Sequence, residues 1–464
     1  MEQNNEMTLE QFNSMPVSKA VIKNAVPAML AMLMFLIYNL ADTFFISQTH
    51  DAYQIAAISL TTPLFMMFSA FGSIFGGGGL SVISRAAGKQ DKEYIKWVSS
   101  FCTWGAIIVG VLIAVVFLTL GKPILYGLGA SDYTYSFARS YLNIIAFCGP
   151  FIVVSGAFSK LLMADGQPQK AMAGMIIGNV LNIVLDPILI LVLKLDIVVA
   201  AFATLISNVI STGYYIVYFV KNKSSLCISP KQFRLKGVWS PVLAIGIPAA
   251  LGPMSMGVSF MFINSLMAQY GDMALAGLGI ASKVTMITSM VCVGLGQGVQ
   301  PLFGFSIGAK DWKRYKETLR FSIIFAFFVG LALTALCFIF TKQLIGVFLD
   351  EANAYDYAFH FARVLLTTSA LFGVFSVLSN TLQAGGFAVS ALVINITRQG
   401  FIYIPALYVL NYFAGMEGLA WTQPVADIFS TVFVAILAFF CFCKLVKDPK
   451  QQEKAARAAE EVQI

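Results

Sequence analysis

The chain has 464 residues, of which 58% are hydrophobic and only 11% charged, with a net charge of +7. Soluble domains carry about 25% charged residues, so this composition excludes a soluble enzyme or a nucleic-acid-binding domain and indicates an all-α integral membrane protein. The basic excess sits in loops, where it sets orientation, and does not form a polyanion-binding face.

The first 19 residues are polar. Thr8-Leu-Glu-Gln11 reads as a capping box for a short surface helix, and Glu2, Glu6 and Glu10 argue against a cleavable signal. Apolar stretches of helical-span length follow at roughly 21–46, 55–84, 96–120, 138–163, 170–192 and 197–220. A basic loop, 221–237, separates them from six more at roughly 239–267, 274–304, 317–340, 358–383, 387–411 and 418–443. A charged tail, 444–464, closes the chain. The expected organisation is an N-terminal segment 1–19, a six-helix bundle 20–220, a linking loop 221–237, a second bundle 238–443 and the tail. Of the 30 Lys and Arg, 23 fall on one side of this map and five on the other, with Lys283 and Arg398 inside spans. The positive-inside rule then puts both termini, the loop and the tail in the cytoplasm.

The chain repeats itself at an offset of about 220. Gly76, Gly78, Gly88, Asp91 and Gly110 align with Gly296, Gly298, Gly308, Asp311 and Gly330, and Ala164-Asp-Gly166 aligns with Ala384-Gly-Gly386. Pro27 matches Pro248. Each half has six spans and enters the membrane in the same direction. Such parallel repeats are related by an axis along the membrane normal, and two bundles flanking a central cleft can rock between two openings. That architecture points to a transporter.

Acidic residues well inside spans are few: Asp42, Asp186 and Asp427. An ionisable group at that depth marks an ion or substrate path by default. Asp42 lies about 20 residues along span 1, about 30 Å at 1.5 Å per residue. Tyr38 sits one turn below Asp42, as Asn182 sits one turn below Asp186. Tyr141 on span 4 and Thr204 on span 6 fall at the same outer level. Pro187, next to Asp186, removes a backbone donor and frees the carbonyl of Ile183. These oxygen-bearing side chains suit a hard cation, with Na⁺ placed at Asp42, Asn182, Asp186 and Thr204, or a proton on the carboxylates. Two carboxylates in a poorly hydrated site do not both stay ionised without a cation. Asn39, Lys283, Arg398 and Asp427 are the weaker candidates for a substrate pathway, and Lys283 or Arg398 could pair with Asp427. The counterparts of Asp42 and Asp186 in the second half, near Phe262 and at Ala406, are not acidic, so ion coupling is expected in the first bundle alone.

Other signals carry little. The Gly76–Gly79 run lacks the Lys-Ser/Thr of a phosphate loop. The seven cysteines have no zinc spacing. His50 and His360 sit near the outer ends of spans, and no Ser-His-Asp set appears, so no enzyme activity and no cofactor are expected.

Taken in order, Pro27 with Tyr38-Asn-Leu-Ala-Asp42, Ser84-Arg-Ala-Ala-Gly88, Asp165-Gly166, Asn182-Ile-Val-Leu-Asp186-Pro187 and Pro301-Leu-Phe-Gly304 resemble the MATE (multidrug and toxic compound extrusion) transporters over about residues 16–444. The chain is similar to the DinF-like branch with its MepA-type pumps. There the coupling cation is held by residues matching Tyr38, Asp42, Tyr141, Asn182, Asp186 and Thr204. The acids that the NorM-like branch uses in the second bundle are missing here. The resemblance implies antiport in a bacterial inner membrane: H⁺ or Na⁺ enters while an organic, often cationic amphipathic compound leaves; a monomer is the expected state, though the sequence itself carries no signal for it. A flippase for lipid-linked precursors, of the same superfamily, and a substrate-specific metabolite exporter are the nearest alternatives. A channel or receptor fits the duplication less well, and a major-facilitator transporter would need a loop motif after span 2 that Gly88 to Lys96 does not match.

Overall fold

The computed structural model describes residues 15–47, 52–189, 198–221, 224–346 and 352–447. The capping box, His50, Lys194, Lys223 and the tail beyond Lys447 lie outside the described residues. Among the described residues there is no strand. The helices are α1 (Val17–Ser47), α2 (Ala52–Gly88), α3 (Lys92–Gly127), α4 (Asp132–Ala164), α5 (Pro168–Pro187) and α6 (Val198–Lys221), then α7 (Trp239–Met267), α8 (Asp272–Gly308), α9 (Trp312–Ile339), the short α10 (Thr341–Gly346), α11 (Ala352–Leu366), α12 (Ser369–Ala384), α13 (Ala388–Ile396) and α14 (Tyr403–Lys447).

Nine helical stretches among the described residues are long and apolar enough to cross a membrane, or ten when α11 and α12, bent by 46°, count as one. One of the nine, Ala388–Lys444, is 57 residues long, and it holds two spans. Within α14 the backbone breaks at Gly415, where φ is 58°. Beyond it Gly418 packs directly on the backbone of Leu410. A straight helix would hold residues eight apart about 12 Å from one another, so the chain turns back here. With α5 as the remaining apolar helix, the twelve-span reading is recovered.

The chain divides into two compact units. The first is Met34–Gly246, and the second comprises the described residues within Ser14–Leu33 and Ile247–Ile464. The boundaries fall inside helices, so α1 and α7 each start in one unit and finish in the other. Small residues make these starts possible. In the first unit, Gly78 of α2 lies against the backbone of Val242 near the start of α7. In the second, a Cβ on Gly298 of α8 would sit 2.7 Å from the backbone of Asn24 and Ala25 near the start of α1.

The duplication is visible as repeated packing. A Cβ on Gly110 would lie 2.8 Å from Cα of Pro150, and one on Gly330 would lie 3.0 Å from Cα of Ala370, the same pair of positions 220 residues on. Asp91 caps α3 through the Tyr94 amide at 3.0 Å, and Asp311 caps α9 through the Arg314 amide at 2.9 Å. The preceding turns place Gln90 and Lys310 at φ of 59° and 57°.

The loop between the repeats is not a loose linker. Residues 224–238 lie along α3: Ser99 bonds both the N–H and the carbonyl of Cys227, Ser100 Oγ donates to Ser229 O at 2.8 Å, Trp104 Nε1 donates to Ile228 O at 3.1 Å and Tyr94 Oη donates to Gly237 O at 3.0 Å. The Arg234 guanidinium stacks 4.2 Å over Trp97. At the other end Ser224 and Ser225 donate to Asp165, the cap of α4. Burial pushes the Asp165 carboxyl up to about 6, with the two hydroxyls pulling the other way. Because an exposed cation–π contact contributes about 0.5–1 kcal/mol, Trp97→Ala is expected to speed tryptic cleavage after Arg234 about threefold. An unchanged cleavage rate would show that the stacking does not hold the loop.

Lys160 of α4 donates from its Nζ to Ser73 Oγ of α2 at 3.3 Å.

Candidate functional site

Four helices of the first unit bring oxygen-bearing side chains to one place. The α5–α6 register is set by close packing: Gly174 and Gly178 admit Tyr215 and Ser211, whose hydroxyls donate to Ala171 O and Gly174 O at 2.8 and 2.9 Å. On α4, the Phe151 carbonyl accepts from Thr212 of α6 at 3.2 Å. This fixes Thr204, whose backbone carbonyl faces the Cys148 thiol at 3.7 Å. With α5 and α6 so aligned, Asn182 Nδ2 donates to Thr204 Oγ1 at 3.4 Å.

The outer part of α1 completes the cluster. Tyr38 lies within electrostatic reach of Thr204, Asp42, Tyr141 and Asp186. The carboxyls of Asp42 and Asp186 are within hydrogen-bonding reach of each other. The Tyr141 hydroxyl of α4 lies beside both. Asp186 is fully buried, Asn182 and Thr204 nearly so, while Tyr38, Asp42 and Tyr141 are half-buried. Pro187 ends α5 directly after Asp186, and residues 188–189 follow in a π turn. Two carboxylates, an amide and three hydroxyls make a hard, oxygen-only donor set. All six residues singled out in the sequence thus meet in one cluster.

Asn39 donates to its own helix at Phe35 O, 2.7 Å away. Lys283 lies on α8 of the second unit. Arg398 and Asp427, also in the second unit, form an ion pair at 2.8 Å, which settles which of the two basic residues pairs with Asp427. His360 pairs with Glu417 at 2.8 Å on an exposed part of the same unit. Sequence reasoning passes over the groups around Asp427, namely Gln423, Thr368, Phe372 and Phe375.

The MatE family model matches residues 27–188 and again 248–409, one match per repeat. The chain belongs to the MatE family. Among the relatives of this MATE chain are the multidrug export protein MepA of Staphylococcus saprophyticus, 31% identical over 441 residues that cover 95% of this chain and 97% of that one. The MepA of Staphylococcus aureus strain MSSA476 is 31% identical over 444 residues, 96% of this chain and 98% of that one. In fold the chain matches an outward-facing multidrug resistance MATE transporter of the MOP superfamily with a TM-score of 0.90 at 24% identity, covering 94% of this chain and 98% of the other. A MOP superfamily transporter from Pyrococcus furiosus, described as having a binding pocket of reversed polarity, matches at 0.88, with 24% identity and the same coverage. Membership of the MATE family makes this chain a multi-pass membrane transporter of small molecules.

Proposed function

We propose that the chain is an antiporter that exports organic, cationic amphipathic compounds across a bacterial inner membrane by alternating access, driven by H⁺ or Na⁺ entering through the first bundle. Both termini then face the cytoplasm. The observation that carries the coupling role is the meeting of the Asp42 and Asp186 carboxyls inside one apolar bundle. Two ionised carboxylates in contact repel strongly in such surroundings. A proton or a sodium ion between them removes the repulsion, and Tyr38, Tyr141, Asn182 and Thr204 supply the remaining oxygens. Loading and release of one positive charge therefore bias the helices that carry the cluster, α1, α4, α5 and α6, between a drawn-together and a relaxed arrangement. The drug-exporter half of the reading is supported by the two MepA relatives.

The test is efflux of a monocationic dye from proteoliposomes under a pH gradient and a sodium gradient imposed in turn. One gradient is expected to drive dye movement that stops when an ionophore collapses it. Dye movement unaffected by either gradient, or movement of a lipid-linked sugar in its place, overturns the reading.

A further inference from the structure

The second unit holds a charged cluster that the coupling reading leaves unused. Asp427 of α14 is buried, and its Oδ1 accepts from Arg398 Nε at 3.0 Å, Arg398 Nη2 at 2.8 Å and Gln423 Nε2 at 2.8 Å. Its Oδ2 accepts from Thr368 Oγ1 at 3.4 Å. The guanidinium carbon of Arg398 lies 4.3 Å from the ring centre of Phe372 and 5.2 Å from that of Phe375, two rings stacked on one another. The Arg398 side chain keeps 14% of its surface exposed.

Interrupted backbone gathers here. Arg398 belongs to a π-helical stretch, Thr397–Phe401. Thr368 occupies the break between α11 and α12, bent by 46°. Irregular turns of this kind concentrate at functional sites and at the mid-membrane sites of transporters. Asp427 is twelve residues beyond the Gly415 turn, about 18 Å along the helix and near the middle of a hydrocarbon layer about 30 Å thick.

The repeat shows that this is not inherited packing. The same two positions 220 residues earlier are Gly178 and Ser207, and they touch: a Cβ on Gly178 would lie 3.4 Å from Ser207 O. The first repeat closes that contact with small residues, whereas the second opens it around a carboxylate, a carboxamide, a hydroxyl and two ring faces. A buried ion pair is no more stabilising than apolar packing of the same volume, so stability does not account for the exchange. A carboxylate flanked by aromatic faces is the chemistry that receives a planar, delocalised cation.

We propose that this cluster is a binding site for a planar organic cation bearing N–H donors, such as an amidinium, a guanidinium or an aminated aromatic dye, and that Arg398 fills it as a tethered guanidinium when no such compound is bound. The proposal rests on the reading of the chain as an exporter of organic cations and assigns the site that receives them. The incoming cation takes the Asp427 oxygens and the face of Phe372, and Arg398 yields its place. A compact quaternary ammonium, with no N–H to offer the carboxylate, competes poorly.

The experiment measures equilibrium binding to the purified full chain in detergent with no gradient, using ethidium as the planar cation. Arg398→Ala removes the tethered competitor and is expected to tighten ethidium binding about tenfold, while Asp427→Asn weakens it about tenfold. Millimolar ethylguanidinium is expected to restore the thermal midpoint of Arg398→Ala, and tetramethylammonium at the same concentration is not. Arg398→Lys keeps the charge without the planar face and is expected to tighten ethidium binding as well, so the test stands if Arg398→Ala fails to fold. Equal ethidium affinity across wild type, Arg398→Lys and Asp427→Asn, or equal rescue by both salts, overturns the site even if the wild type exports dye under a gradient. The expected binding pattern in a chain that shows no gradient-driven efflux sustains the site and overturns the exporter reading.

Discussion

Asp186→Asn is expected to lower gradient-driven efflux about a hundredfold while leaving insertion and helix content unchanged. Asn keeps the size and one acceptor oxygen of Asp but removes the charge. Losing one charged partner of a buried interaction costs about 3 kcal/mol, and about 1.4 kcal/mol is a factor of ten. Asp42→Asn is expected to fall as far, because the two carboxyls adjoin and act on one cation. The double variant should then be no worse than either single one, the behaviour of groups that work as a unit. Initial rates in proteoliposomes measure this. Efflux at the wild-type rate in either single variant, or additive losses in the double one, would remove the pair from the coupling role. Tyr141→Phe deletes a hydroxyl and no charge and should produce a smaller loss.

Gly110→Val and Gly330→Val are expected to be strongly damaging although they lie away from both charged clusters, and to damage the protein alike. In each case the added Cβ meets the backbone of the neighbouring helix, at Pro150 or at Ala370, where nothing flexible can give way. Overpacking of this kind costs about 3 kcal/mol, visible as a large fall in the thermal midpoint in detergent. Gly213→Ala is the contrast. Nothing lies within 4 Å of a Cβ there, and the better helix former should leave the midpoint unchanged or raise it. A midpoint unmoved by both valine variants would contradict the close helix contacts on which each repeat is built.

Much of this was legible in the amino-acid order. Apolar length and charge bias led to helical spans, and a constant offset of about 220 led to the duplication, because both are written in residue type alone. The six residues of the first cluster could be found because each is a polar group at an apolar level, and their common depth follows from counting residues along helices. The partner of Asp427 was less accessible. Pairing across helices depends on how each helix is rotated about its axis, which counting does not fix, and the π-helical stretch at Thr397–Phe401 shifts that rotation by an amount that residue type alone does not give. The repeat did hold a usable signal: aligning Arg398 and Asp427 with Gly178 and Ser207 selects a helix pair that must adjoin. The course of residues 224–238 was hidden for another reason. Its serines, aromatic residues and basic residues read as loop composition, and their partners on α3 lie more than a hundred positions earlier.

The exchange of helix starts carries a consequence for the origin of the chain. The start of α7 packs on Gly78 of the first unit, and the start of α1 packs on Gly298 of the second. Each half carries one such glycine seat, Gly78 or Gly298, and the helix start that occupies it belongs to the other half of the sequence. Two copies trading these arms would each have supplied what the other lacked, as domain-swapped dimers do. In a single chain that trade is intramolecular, and it holds while the two halves differ in their charged residues.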